Sequence, residues 1–192
     1  MLGQISRAFH YRKKNNLVPL FKTFVRPNLE YAAAAWSPWL DKDIASMKRV
    51  QERLIRIISD AKGSSYEEKL KDAGLTTLKK RRERGDLIET FKVMNGLNRA
   101  DKNKWLNIKN NITTTTRSTS NLSNDGPVRR DDFLFMEHVR LDIRKNFFNI
   151  RVIKEWNALP EKVRKQKTVN GFKNELDRWK DSSDGNQNNH DM

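Results

Sequence analysis

Apolar residues in this chain recur mostly three and four positions apart, the period of a helix face. Leu2, Ile5, Ala8 and Phe9 predict a first short helix, and Arg12-Lys13-Lys14-Asn15-Asn16 a polar turn after it. Leu17, Leu20, Phe21 and Phe24 lie on one face of a second helix, over 17–25. Pro27 suits the start of a third, where a missing N–H does no harm. That helix is expected to run through Tyr31 and Ala32-Ala33-Ala34-Ala35 to Trp36, with Pro38 as its stop. The alanines combine high helix propensity with small side chains, so another element can approach them closely. Tyr31 and Trp36 flank this patch and are expected to bury their ring faces. From the residues alone, 20–38 reads as a helix–helix corner.

A long helix follows over about 42–59, with Asp41 or Asp43 as its cap and Ile44, Met47, Val50, Leu54, Ile57 and Ile58 as its apolar stripe. Lys48, Arg49, Arg53 and Arg56 occupy its other faces. Ser65-Tyr66-Glu67-Glu68 has the form of a capping box, and the helix it opens should end at Gly74. Thr76 or Thr77 caps the next helix, buried along Leu78, Leu87, Ile88, Phe91 and Met94 and ended by Gly96. One or two helical turns over 101–108 are anchored by Trp105 and Leu106. Residues 110–127 are Thr-, Asn- and Ser-rich and read as a linker. Phe133-Leu134-Phe135 suggests a short strand, and Arg140-Leu141-Asp142-Ile143-Arg144 an extended segment. Phe147 to Leu159 is helical, closed by Pro160. The last helix, from Val169 to Trp179, is capped by Thr168, and 181–192 should be disordered.

Charge changes the picture most. The net charge is +15, and it is spread along the chain: +6 over 1–60, +5 over 61–106 and +7 over 107–180, against −3 in the last twelve residues. The folded parts themselves are cationic, which favours a polyanionic partner such as nucleic acid. Cysteine is absent, excluding disulfides, thiolate metal sites and a cysteine nucleophile, and fitting an intracellular protein. No apolar run approaches the roughly 20 residues a membrane helix needs. The N-terminal residues lack a signal-peptide pattern.

The chemistry of catalysis is hard to place. Asp131-Asp132, the one adjacent aspartate pair, follows Arg129-Arg130 in a polar stretch and reads as a solvated loop. His10, His138 and His190 are scattered, without metal-ligand spacing. No phosphate-binding glycine loop occurs. The densest basic run, Lys79-Lys80-Arg81-Arg82-Glu83-Arg84, opens a helix, where positive charge opposes the macrodipole. Either a docked anion or internal salt bridges would relieve that conflict.

Several motifs carry a resemblance. Val25-Arg26-Pro27-x-Leu29-Glu30-Tyr31 and Trp36-x-Pro38 resemble the region just downstream of the palm in LINE-type, non-LTR retrotransposon reverse transcriptases of the jockey-like group. Leu2-Gly3-x-Ile5-x-Arg7, Val50-Gln51-x-Arg53, Gly74-Leu75, Arg81-Arg82-x-Arg84-Gly85-Asp86-Leu87-Ile88 and Asn95-Gly96 continue in the family's order. Arg144-Lys145-Asn146-Phe147-Phe148, Trp156-Asn157-x-Leu159-Pro160 and Phe172-Lys173-x-x-Leu176-Asp177 resemble the block that closes these reading frames. The likeness covers the chain apart from the linker and the acidic tail.

The resemblance implies the thumb and post-thumb part of an RNA-directed DNA polymerase. The fingers and palm, with the catalytic carboxylates and their magnesium, lie upstream in that family. This chain is then expected to hold no catalytic residue, metal or cofactor and to have no polymerase activity alone. The family's endonuclease domain and the Cys-rich knuckle of some relatives have no counterpart here. Its expected partners are an RNA–DNA hybrid or other nucleic acid and the fingers–palm; no membrane is expected. The fold expected is mainly α, with at most one short β segment: a thumb-like bundle over 1–106, a linker over 107–132, a small helical module over 133–180, and the tail. A thumb grips a duplex by backbone and shape, which asks for Lys and Arg on helix faces. The candidates are, in order, Lys79, Lys80, Arg81, Arg82 and Arg84; then Arg49, Arg53 and Arg56; then Arg144, Lys145 and Arg151, whose alternative role is to brace Asp142 and Glu155 internally. The location expected is nucleus or cytoplasm. Two rivals stay open: part of a longer, complete polymerase, or a non-enzymatic helical nucleic-acid-binding or scaffold protein or inert retrotransposon relic.

Overall fold

In the computed structural model, residues 2–58, 60–63, 65–106, 108 and 133–187 are described, with side chains as far as 182. The protein is mainly α, as the helical periodicity predicts. Among the described residues, β structure amounts to one antiparallel bridge, Ile108 to Leu134, in place of a strand over 133–135. The expected linker falls almost wholly outside the described residues, as does Asp131-Asp132. The chain forms two compact units, Met1–Asp86 and Leu87–Met192.

The first unit holds α1 (Leu2–Ala8), α2 (Lys14–Leu20), a π-helical turn (Phe21–Val25), α3 (Arg26–Glu30), α4 (Ala33–Trp36), α5 (Asp41–Ile57), α6 (Tyr66–Asp72) and the first half of α7 (Leu78–Met94). α2, the π turn and α3 run on without a break. The π turn precedes Pro27, which has no N–H to give and whose ring crowds the carbonyl four residues back. Leu17, Val18, Phe21 and Val25 pack against Leu54, Ile55 and Ile58 to form the core.

The corner departs from expectation. The alanine run is not one helix: Tyr31 and Ala32 break it, and Ala32 takes φ 49°, the left-handed region that L residues avoid. The Trp36 indole N–H donates to the Tyr31 carbonyl across the break. Tyr31 is 80% exposed and Trp36 is 42% exposed, so neither ring is buried as expected. Propensity favoured a straight helix, but a straight helix would not have turned the chain toward α5.

Local signals elsewhere hold. The Ser65–Glu68 capping box closes both ways, through Glu68 N–H to Ser65 Oγ and Ser65 N–H to Glu68 Oε2, each at 3.2 Å. Gly74 and Gly96 take φ of 60° and 64° just past their helices. Lys80 N–H donates to Thr77 Oγ1 at 3.3 Å and Gly171 N–H to Thr168 Oγ1 at 3.0 Å, so these threonines cap α7 and the last helix. The α5 cap does not follow: Leu40 holds that position and Asp41 and Asp43 sit in the first turn, where their charge meets the positive end of the macrodipole.

The second unit contains the rest of α7, α8 (Lys102–Trp105), α9 (Asp142–Lys145), α10 (Phe148–Ala158), α11 (Glu161–Arg164) and α12 (Val169–Gln187). Phe172 is fully buried between Phe91, stacked at 4.4 Å, and Trp156 at 6.0 Å. The Asn157 side-chain amide pairs with the Leu134 backbone in both directions, at 2.8 and 3.0 Å. Three further expectations are corrected. The predicted extended segment at 140–144 turns into α9, its two exposed apolar side chains having no sheet to join. Trp105 is 53% exposed, leaving Leu106 as the anchor. The last helix continues to Gln187, so 181–187 is helical: no proline stops it after Trp179.

Candidate nucleic-acid interface

α5 is amphipathic. Gln51, Leu54, Ile55 and Ile58 are buried along one side. Arg49, Arg53 and Arg56, at spacings of four and three, fall within an arc of about 60° on the opposite side, at about 100° per residue. All three are exposed. Lys42, exposed and seven residues before Arg49, extends the same stripe, giving four cations over about 21 Å of helix. Sequence reasoning missed Lys42, although its i, i+7 spacing was readable. Among the described residues no carboxylate pairs with Lys42, Arg49 or Arg53, while Arg56 approaches Glu52 at 3.8 Å.

The basic run of α7 is arranged differently. Lys79 and Lys80 are exposed, and Lys79 lies 4.0 Å from Glu83. Arg81 turns inward and clasps Glu30 with two hydrogen bonds, Nε to Oε1 and Nη2 to Oε2, the latter at 2.9 Å. Arg26 approaches the same carboxylate at 4.0 Å. Burial, followed by the Arg81 charge, lowers the Arg26 pKa, against the pull of Glu30. Arg82 is 7% exposed, with Nη1 3.8 Å from Met47 Sδ. Arg84 is half-buried. The macrodipole conflict at this helix start is therefore met at least partly by internal carboxylates. Glu30 lies 51 positions from Arg81, and no sequence signal joins them.

The third group lies in the second unit. Lys145 pairs with Asp142 at 2.7 Å and holds that carboxyl below its ordinary range, first by hydrogen bond and then by charge. Arg144 reaches Glu137 at 3.4 Å. Arg151 donates to the Asn146 carbonyl at 3.0 Å and lies over the Phe148 ring. The bracing of Asp142 is present through Lys145.

The structure thus brings Arg49, Arg53 and Arg56 together with Lys42 on one open face, and draws Arg81 and Arg82 into the fold. Among the described residues no group of three or more His, Cys, Asp or Glu is placed to hold a metal ion, and no helix is long and apolar enough to cross a membrane. No protein family, curated protein or solved structure matches this chain.

Proposed function

We propose that this chain binds nucleic acid as the thumb and post-thumb part of a LINE-type reverse transcriptase, without polymerase activity of its own. The observation that carries the binding reading is the α5 stripe: four exposed cations on one face of a seventeen-residue helix, opposite its buried side. Such a face follows a phosphate backbone and reads no bases, as gripping an RNA–DNA hybrid requires. The net charge of +15 supports the same partner. The family assignment rests on the ordered motifs from Leu2 to Asp177; it makes the palm, with its magnesium, the protein partner and the nucleus or cytoplasm the location. A helical scaffold is the second reading. It is favoured by the internal pairing of Arg81, Arg144 and Lys145.

A salt titration of hybrid binding separates the two. The triple variant Arg49→Ala, Arg53→Ala, Arg56→Ala should reduce the slope of log K against log salt by about 2 to 3, one contact being worth roughly 0.9. An unchanged slope in a folded variant removes α5 from the interface. A folded wild-type protein that binds no duplex at low salt favours the scaffold.

A further inference from the structure

We propose that the groove between α5, α6 and the start of α7 holds a single phosphate-bearing nucleotide unit. The groove encloses about 400 Å³, within the roughly 300–1,000 Å³ typical of small-molecule sites. That is more room than one phosphate group fills. Lys48 reaches it from α5, and Lys79, Lys80 and Arg82 from α7. Two carboxylates, Glu67 and Glu83, also line it, which leaves two positive charges in excess. The cations that line the groove come from two separate elements, whereas the stripe of α5 lies along one helix.

The remaining walls suit a nucleoside. Ile44, Leu78 and the half-buried Tyr66 ring supply apolar surface; the Lys48 ammonium lies over that ring at 5.3 Å, and a base stacks there by displacing it. The floor is held in place by a hydrogen-bonded chain: Tyr66 Oη donates to Gln51 Oε1 at 3.2 Å, and Gln51 Nε2 donates to the Thr76 carbonyl at 2.9 Å. Gln51 is 2% exposed, so this chain is rigid and satisfied. Burial, followed by the charges of Glu52 and Glu67, pushes the Tyr66 hydroxyl up to about 12, so it stays neutral beside an incoming anion. Among the described residues, two of the lysines, Lys79 and Lys48, make only long ion pairs with carboxylates. Lys79 lies 4.0 Å from Glu83 and Lys48 lies 3.6 Å from Glu52, both longer than a hydrogen bond. A phosphate can recruit both ammonium groups in exchange for two long ion pairs and the contact of Lys48 with the Tyr66 ring.

This inference deepens the nucleic-acid reading and rests on it for one source of the nucleotide, a 5′-phosphorylated strand end; the other source is a free mononucleotide. The test is equilibrium dialysis with AMP and adenosine, alongside 5′-phosphorylated and 5′-hydroxyl oligonucleotides of one sequence. AMP should bind at least about tenfold tighter than adenosine, as charge-assisted contacts require. The doubly reversed variant Lys79→Glu, Lys80→Glu, at exposed positions, should lose that preference. The triple arginine variant of α5 should keep it while binding hybrid more weakly and with a shallower salt slope. A preference for the phosphorylated oligonucleotide assigns the groove to a strand end; equal binding of the two, with AMP still bound, assigns it to free nucleotide. Hybrid binding without any AMP-over-adenosine preference overturns the groove and leaves the duplex reading intact. AMP binding without hybrid binding does the reverse.

Discussion

α5 and α7 are both seventeen residues long and both rich in Lys and Arg, yet they use their cations in opposite ways. In α5 the basic residues recur at helical spacing and the buried residues keep to the other side. In α7 four cations are consecutive, and successive residues point about 100° apart, so the run sweeps right round the helix. The α7 helix is also buried on several sides, at Leu78, Arg82, Asp86, Leu87, Ile88 and Thr90. Some of its cations must therefore enter the fold and find partners there, as Arg81 does with Glu30. Density of charge drew attention to α7; spacing against the buried face makes α5 the open surface.

Mutations in the two helices should therefore fail differently. Arg82→Ala should have the largest effect on stability, about 2 kcal/mol in urea unfolding, because it strips a long packed side chain from the interior. Its hybrid-binding salt slope should match wild type. A slope reduced by a full contact in folded Arg82→Ala would put Arg82 at the interface and break the comparison. Glu30→Gln should cost somewhat less, about 1–2 kcal/mol, since it leaves the part-buried Arg81 guanidinium without its carboxylate. Replacing Arg49, Arg53 and Arg56 with alanine should change stability by no more than about 0.5 kcal/mol per site. A large loss there would mean that the stripe is structural.

Lys14 sharpens the contrast as a cation held by a single carboxylate. Its ammonium donates to Asp72 Oδ1 at 2.9 Å, and Lys62 N–H donates to Asp72 Oδ2 at 3.0 Å. The hydrogen bond from Lys62 N–H, and next that from Lys14, hold the Asp72 carboxyl below its usual range. A lowered folded-state pKa adds stability above the unfolded value, about 3.9, and that stability is lost as pH falls through the folded one. Asp72→Asn should thus be less stable than wild type near neutrality, with the gap closing below about pH 4. A gap that stays constant with pH would show that the carboxylate charge is not what holds Lys14. This is the smallest effect of the four, as expected for a pair near the surface.

Much of the secondary structure was legible because its signals are local. Ser65 and Glu68, Thr77, Thr168, Gly74 and Gly96 each act on backbone groups within a few residues, and each does what its type predicts. The misses are places where something distant outweighs propensity. Four alanines favour a helix, yet Ala32 turns left-handed where the chain changes direction. Leu141 and Ile143 alternate like a strand, but without a sheet to receive them they form a helical turn, both more than half exposed. Tyr31 looked like a buried ring and is the most exposed large hydrophobic residue among those described.

The sequence by itself determined the mainly helical character, most helix ends and the cationic balance of the protein, because periodicity, caps and charge are properties of neighbouring residues. It also contained the α5 stripe, since spacing along one helix is enough to show which residues share a face. Only the tertiary structure decided which cations of α7 stay outside. That choice depends on what surrounds the helix and on a carboxylate 51 positions away, and no local pattern encodes a contact across such a distance. The groove between α5, α6 and α7 is of the same kind: the residues that line it share one wall only after the chain has folded back on itself.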